Sequence, residues 1–317
     1  MAAIQRFPGA TLWQTNVGEE RMPKAKKNMT PAQKAAARVP EPVEAPAPEP
    51  LAVSGRDAEP KVRAKLPKEE RRNRLALLIG GLVLLVALSF ALYTCNYSHA
   101  TDEARAALSS TKQTAVSDES GWIAFGDPAA KTGYAFYPGG KVEAESYAPL
   151  MHALADEGLF CVLVKSPFNL AFFDTNAADG VLAAYPQVKE WYVGGHSLGG
   201  VAACQWAAEN ASRVKGVILL ASYTSTDLTG TGLRFLDIYG SDDQVMNRDN
   251  YAESQALLPA DAQTVLLQGG NHAQFGDYGA QEGDGEASIS AKEQREQAVA
   301  AIVEWIGQAA GARDRAA

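Results

Sequence analysis

The stretch Glu190-Trp-Tyr-Val-Gly-Gly-His-Ser-Leu-Gly-Gly-Val-Ala-Ala-Cys-Gln-Trp206 decides the fold. Its β-favouring start reads as a strand over Glu190–Gly194, and its later part opens a helix that reads over Leu198–Asn210. Between them, Gly195-His196-Ser197-Leu198-Gly199 sets a glycine two residues to either side of a serine. A Cβ at either flank would clash in so tight a turn, and the turn presents the serine hydroxyl at the head of the helix. Gly199, Gly200, Ala202 and Ala203 keep that helix narrow enough to pack close to a sheet.

The same alternation continues on both sides. Upstream, Gly133-Tyr-Ala-Phe-Tyr137 is a short strand ending in Pro138-Gly139-Gly140. Glu143–Glu157 reads as a helix, with Pro149 tolerable only in a first turn and Gly158 as its stop. Leu159–Val164 is a continuous apolar run, as a strand covered on both faces must be. Asp174–Tyr185 is helical. Downstream come strands at Val214–Leu220, Leu233–Tyr239 and Thr264–Gln268, a helix near Asp249–Leu257, and a closing helix over Ala291–Gly307. Strands separated by helices of this length pair in parallel through right-handed crossovers, which predicts a three-layer α/β domain.

Ligands of open parallel sheets bind beyond the carboxyl ends of the strands. A serine there is a weak nucleophile until a base takes its proton. The chain has four histidines. His99 adjoins an apolar stretch, His152 lies within a helix, and the ring of His196 cannot turn back onto its neighbour. His272, in Gln268-Gly-Gly-Asn-His272 after the last strand, is the candidate base. A base needs an acid to hold its tautomer. Asp242 and Asp243 both follow the strand ending at Tyr239, and either carboxylate can serve. An oxyanion needs two backbone N–H groups. Leu198, behind the serine, supplies one, and Gly140 in the Pro-Gly-Gly turn is chosen for the other. Lys165, Phe168, Asn169, Phe172 and Tyr223 come after strands and are candidates to border a pocket for substrate.

The chain resembles the α/β-hydrolase superfamily, in its small bacterial branch. The resemblance rests on Tyr137-Pro-Gly-Gly-Lys-Val-Glu143, Lys165-Ser-Pro-Phe-Asn-Leu170, the turn around Ser197, and Gly269-Gly-Asn-His-Ala-Gln-Phe-Gly-Asp-Tyr-Gly279. It covers about residues 121–310. It implies an α/β-hydrolase sandwich with a mostly parallel sheet, and a triad in the chain order Ser197, Asp243, His272, with Asp243 rather than Asp242 as the acid. Such a triad acts through an acyl-enzyme, and an ester or thioester is expected rather than a peptide, because nothing in the sequence indicates a peptide-binding groove. Two features depart from the family pattern. Pro138-Gly139 stands where a His-Gly turn is usual, and Ala221–Leu233 is too short for a large lid.

The front third is of another kind. Residues 1–74 hold 15 Lys and Arg against 9 Asp and Glu, together with ten of the 16 prolines, and show no apolar period. They are expected to be a disordered tail. Seven basic residues lie between Lys61 and Arg74, followed by the apolar run Leu75–Leu92, and no charged side chain intervenes before Asp102. Eighteen helical residues span about 27 Å, close to a hydrocarbon core of about 30 Å. Residues 75–94 are therefore expected to cross a membrane once. The flanking basic cluster puts the N-terminus in the cytoplasm and the later domain outside it. Residues 95–120 read as a linker, 121–310 as the α/β domain and 311–317 as a tail.

The body after residue 74 carries 14 Lys and Arg against 28 Asp and Glu, which disfavours nucleic acid as a partner. Three cysteines make no disulfide scaffold, and Cys161 and Cys204 read as core residues. Glu282-Gly-Asp284-Gly-Glu286 lacks the spacing of a calcium loop and reads as a solvated turn. No cofactor or metal is expected. The expected function is a membrane-anchored serine hydrolase acting on a small-molecule or lipid-like acyl substrate. A non-catalytic envelope binding or assembly protein on the same fold is the alternative.

Overall fold

A computed structural model describes residues 67–314. Residues 1–66 of the expected tail 1–74, including Lys61, Arg63 and Lys65, and the final residues 315–317 lie outside the described residues, whereas residues 68–74, expected to be disordered, are helical and continuous with the apolar run. The described chain divides between Ile79 and Gly80, and the part from Gly80 onward is one compact unit.

Helix α1 spans Lys68–Cys95 with Glu69 and Glu70 in its first turn, where acids suit the positive end of the helix dipole. It is the one described helix long and apolar enough to cross a membrane, and its apolar window is wholly exposed. Helix α2, Asp102–Ala106, is capped by Thr101, whose hydroxyl accepts the Ala104 N–H at 3.2 Å.

Eight strands form a single sheet: β1 (Val116–Asp118), β2 (Trp122–Phe125), β3 (Thr132–Tyr137), β4 (Phe160–Val164), β5 (Glu190–His196), β6 (Gly216–Leu220), β7 (Arg234–Gly240) and β8 (Gln263–Leu267). Their order is β1-β2-β4-β3-β5-β6-β7-β8. The pairs from β4 to β8 are parallel, and β1 and β2 add an antiparallel edge. The parallel strands lie where their apolar runs predict them.

The edge corrects the expected linker. Residues 100–120 contribute α2 and β1, and Ala100, Ala104 and Thr114 are buried. Strand β1 is short and mostly exposed, so its ladder to β2 requires only backbone groups and leaves no apolar alternation in the sequence.

Side-chain alternation along the strands fills two layers. Tyr134 and Phe136 of β3, with Ile218 and Leu220 of β6, pack on one face with α3 (Ala148–Asp156) and α7 (Ala291–Asp314). Ala135 and Tyr137, with Val217 and Leu219, pack on the other with α4 (Ala177–Ala184) and α5 (Leu198–Glu209). Pro149 sits in the first turn of α3, and the chain before it tightens into a 3-10 turn over Ala144–Tyr147. Helix α6 (Arg248–Ser254) comes after β7. Between β6 and β7 no helix forms, so the sheet rim carries no large lid there.

One carboxylate is buried away from that rim. Asp237 in β7 is 2% exposed. The Tyr251 hydroxyl donates to its Oδ2 at 2.6 Å, and its Oδ1 has no partner among the described residues. Burial pushes its pKa up to about 7, while Tyr251 and Arg248 oppose the rise. The folded state thus holds a proton that the unfolded chain releases near pH 4, so stability falls as pH rises from about 4 to about 7. We expect Asp237→Asn to flatten that fall, the full effect being on the order of 4 kcal/mol. Thermal unfolding at pH 5 and pH 8 measures it. An equal pH slope in both proteins would refute the assignment.

Candidate active site

The serine turn is built by backbone crowding. A Cβ at Gly195 would meet the carbonyl oxygen of Tyr137 and the backbone of Gly199. A Cβ at Gly199 would meet the carbonyl oxygens of both Tyr137 and Pro138. The chain can turn from β5 into α5 only with glycine at both places, and Ser197 between them is held at φ 51°. Its N–H donates to Leu220 O at 3.0 Å, and Ser222 Oγ donates to its carbonyl at 2.6 Å.

The two residues named as candidate oxyanion donors are neighbours. A Cβ at Gly140 would lie 2.7 Å from Leu198 Cδ2, so the Pro-Gly-Gly turn packs on the head of α5. The Gly139 N–H is already taken, donating to the Tyr147 hydroxyl at 3.0 Å.

His272 and Asp243 meet. His272 Nδ1 donates to Asp243 Oδ2 at 2.8 Å, with both side chains almost fully buried. Asp243 Oδ1 accepts the Val245 N–H at 2.9 Å and the Met246 N–H at 2.8 Å. Burial would raise this carboxyl, but the His272 ring and the two N–H groups hold its pKa below the usual range. Asp242 is turned elsewhere and is bonded by Ser241 Oγ at 3.1 Å.

With Nδ1–H given to Asp243, His272 Nε2 is the lone-pair nitrogen. It is buried and has no hydrogen-bond partner among the described residues, so the Ser197 hydroxyl does not bond it in this structure. The residue before the serine does reach His272. His196 Nε2 donates to His272 O at 3.1 Å, and the two rings are 4.6 Å apart.

His196 links several of these groups. The Tyr147 hydroxyl donates to His196 Nδ1 at 2.8 Å while accepting from Gly139. A single chain of bonds therefore runs from the Pro-Gly-Gly turn through Tyr147 and His196 to the backbone of His272. Burial first, then the neighbouring His272, pushes the His196 pKa well down. The ring is neutral, as its one acceptor and one donor nitrogen require. The sequence offers no signal for Tyr147, and it shows His196 only as a histidine unable to serve as the base.

Asp284 corrects another expectation. Its Oδ1 accepts the His272 N–H at 3.3 Å, and its Oδ2 accepts the Ala273 N–H at 2.8 Å. The expected solvated turn is thus a clamp on the histidine loop. Gln294 of α7 holds the same loop through both the N–H and the carbonyl of Asn271.

The candidate pocket residues have other partners in this structure. Lys165 is paired with Asp118 and donates to Glu119 O at 3.3 Å, which ties it to the β1–β2 edge. Asn169 accepts the Lys141 N–H through its carbonyl at 2.7 Å. Phe168 and Phe172 are exposed. The Tyr223 hydroxyl accepts from Asn250 at 3.0 Å. A concavity of about 670 Å³ elsewhere, between α3 and α7, is lined by Ala153, Asp156, Lys292 and Val299 and contains none of the site groups. No group of three or more metal-ligating side chains occurs among the described residues.

An eight-stranded, mostly parallel sheet with a serine on a strained turn after β5 and a histidine after β8 is an α/β-hydrolase architecture. The sequence model of the Alpha/beta hydrolase family matches residues 133–296, just over half of the chain, and the chain belongs to that family. Among solved structures, a predicted CIB-like hydrolase from Thermoplasma acidophilum is similar at 14% identity and a TM-score of 0.43, over 61% of this chain and 98% of its own. No curated protein sequence matches.

Because the atoms facing Gly199 are backbone carbonyls, no side chain can move aside for a Cβ. Gly199→Ala is expected to destabilise the domain by about 3 kcal/mol or more, or to prevent folding. Urea unfolding tests this, and an unchanged midpoint would contradict the close approach.

Proposed function

We propose that this chain is a serine hydrolase of ester or thioester bonds, anchored to a membrane with its catalytic domain outside the cytoplasm. The supporting observation is the buried His272–Asp243 pair, with Nε2 left free and the ring held against the residue that precedes Ser197.

Ser197 Oγ attacks the acyl carbonyl carbon while His272 Nε2 takes its proton. Asp243 keeps the proton on Nδ1 and stabilises the imidazolium that forms. The oxyanion is received by the Leu198 and Gly140 N–H groups. Collapse expels the alcohol or thiol, which leaves with the proton from His272. Water then gives a proton to His272 and attacks the acyl-enzyme, and collapse breaks the bond to Ser197 Oγ, which takes that proton back from His272 as the acid is released. A missing lid leaves the rim open to bulky substrates or to substrates held on a surface.

The anchor reading rests on α1, which is apolar on all sides over Leu75–Leu92 and has Arg71, Arg72 and Arg74 at its N-terminal end. An exposed apolar surface of that length is stable in lipid and not in water.

Ser197→Ala is expected to lower kcat at least 10³-fold on a short-chain ester. A fluorophosphonate should label the wild-type protein and not this variant. Absence of labelling in both would favour the non-catalytic binding protein. For the topology, protease added to intact cells should digest the chain after residue 100 and spare the tail, and the reverse pattern would overturn the orientation.

A further inference from the structure

The turn after β4 carries three large apolar side chains that the proposed chemistry does not use. Phe168, Phe172 and Phe173 are 54%, 50% and 54% exposed. Phe168 and Asn169 both have positive φ, 57° and 55°, a conformation that side-chain-bearing residues rarely adopt. These rings are not isolated surface residues. The Phe90 ring of α1 lies 5.3 Å from that of Phe168 and 5.8 Å from that of Phe173, and the latter two are 5.5 Å apart.

The depth of Phe90 gives the cluster a setting. It is two residues, about 3 Å, inside the end of the apolar run at Leu92. Rings in contact with it stand at the edge of the hydrocarbon, where aromatic side chains suit the interface. Tyr93 comes next, with the Lys141 ammonium 4.5 Å from its ring centroid, a cation at headgroup level.

The end of α1 is also stitched to the candidate site. Ser98 N–H donates to Lys141 O at 2.8 Å, and Lys141 N–H donates to Asn169 O at 2.7 Å. Lys141 is the neighbour of Gly140. One short span of backbone therefore joins the helix end, the aromatic turn and the turn proposed to hold the oxyanion.

We propose that the Phe168–Phe173 turn is a second contact with the lipid surface, continuous with α1. It holds the rim of the site against the bilayer, so that the acyl substrate is a membrane lipid ester drawn from that surface. This rests on the reading of α1 as a membrane span and of Ser197 as the nucleophile.

The test uses the full chain in phosphatidylcholine vesicles, in a Cys95→Ser background, since Cys161 and Cys204 are buried. An environment-sensitive fluorophore is attached singly at Leu84→Cys in α1, at Phe172→Cys or Phe173→Cys in the turn, or at the exposed Lys189→Cys just before the N-terminal end of the central strand β5. Brominated acyl chains should quench the labels at 84 and at 172 or 173 at least twofold, and leave 189 unquenched. Quenching at 84 without quenching in the turn overturns the second contact while the span stands. No quenching at 84 overturns the span, and equal quenching at 189 marks simple adsorption and overturns the contact. For the substrate, a long-chain fluorophosphonate carried in the vesicle should label Ser197 faster than a short soluble one. That ratio should fall at least tenfold in Phe173→Asp, and an unchanged ratio overturns lipid as the source. Absence of labelling by both probes rejects the hydrolase reading, and the quenching result still decides the surface contact.

Discussion

The turn around Ser197 lies directly against the carbonyl oxygens of Tyr137 and Pro138. Two segments of backbone meet there with no space for a Cβ, and most of the site depends on that contact. It forces Ser197 into a positive φ, which aims the side chain off the strand axis. It presses the Pro-Gly-Gly turn onto the Leu198 side chain, so the two residues proposed to receive an oxyanion are neighbours. Because the contact is backbone on backbone, it cannot be relaxed by a change of rotamer.

A second constraint is electrostatic. Two histidine rings lie 4.6 Å apart in a buried site, and the structure accommodates them by giving them different partners. His272 has a carboxylate below it, so a positive charge on that ring would be compensated. His196 has only a tyrosine hydroxyl and a carbonyl, and burial keeps it neutral. Two rings of the same chemistry are thereby given different surroundings: one is paired with a carboxylate, as the proposed base must be, and the other holds the backbone around it.

Much of this is legible in the chain. The parallel strands are visible because burial on both faces demands unbroken apolar runs, as in Phe160–Val164 and Gly216–Leu220. Ser197, Asp243 and His272 stand out by their places after strands, by elimination among four histidines and by the family order. Strand β1 is not visible, because a three-residue edge strand is defined by backbone pairing. Asp284 reads as solvent-facing because glycines and acids surround it in sequence, whereas its bonds are to the loop that carries His272. Lys165 comes after a strand, as a residue near substrate would, but its charge is met by Asp118 of the edge hairpin.

The sequence by itself determined the alternation of strand and helix, the glycines flanking the serine, and a helix apolar on every side. These are properties of periodicity and of side-chain size, and they act over a few residues. Only the tertiary structure decided that Asp284 clamps the loop of His272, that Tyr147 and His196 join the two sides of the site, and that Phe168 and Phe173 meet Phe90 near the end of α1. Those relations join residues up to 83 positions apart, as with Phe90 and Phe173. They depend on the angles at which packed elements present their side chains, and no local pattern carries that information.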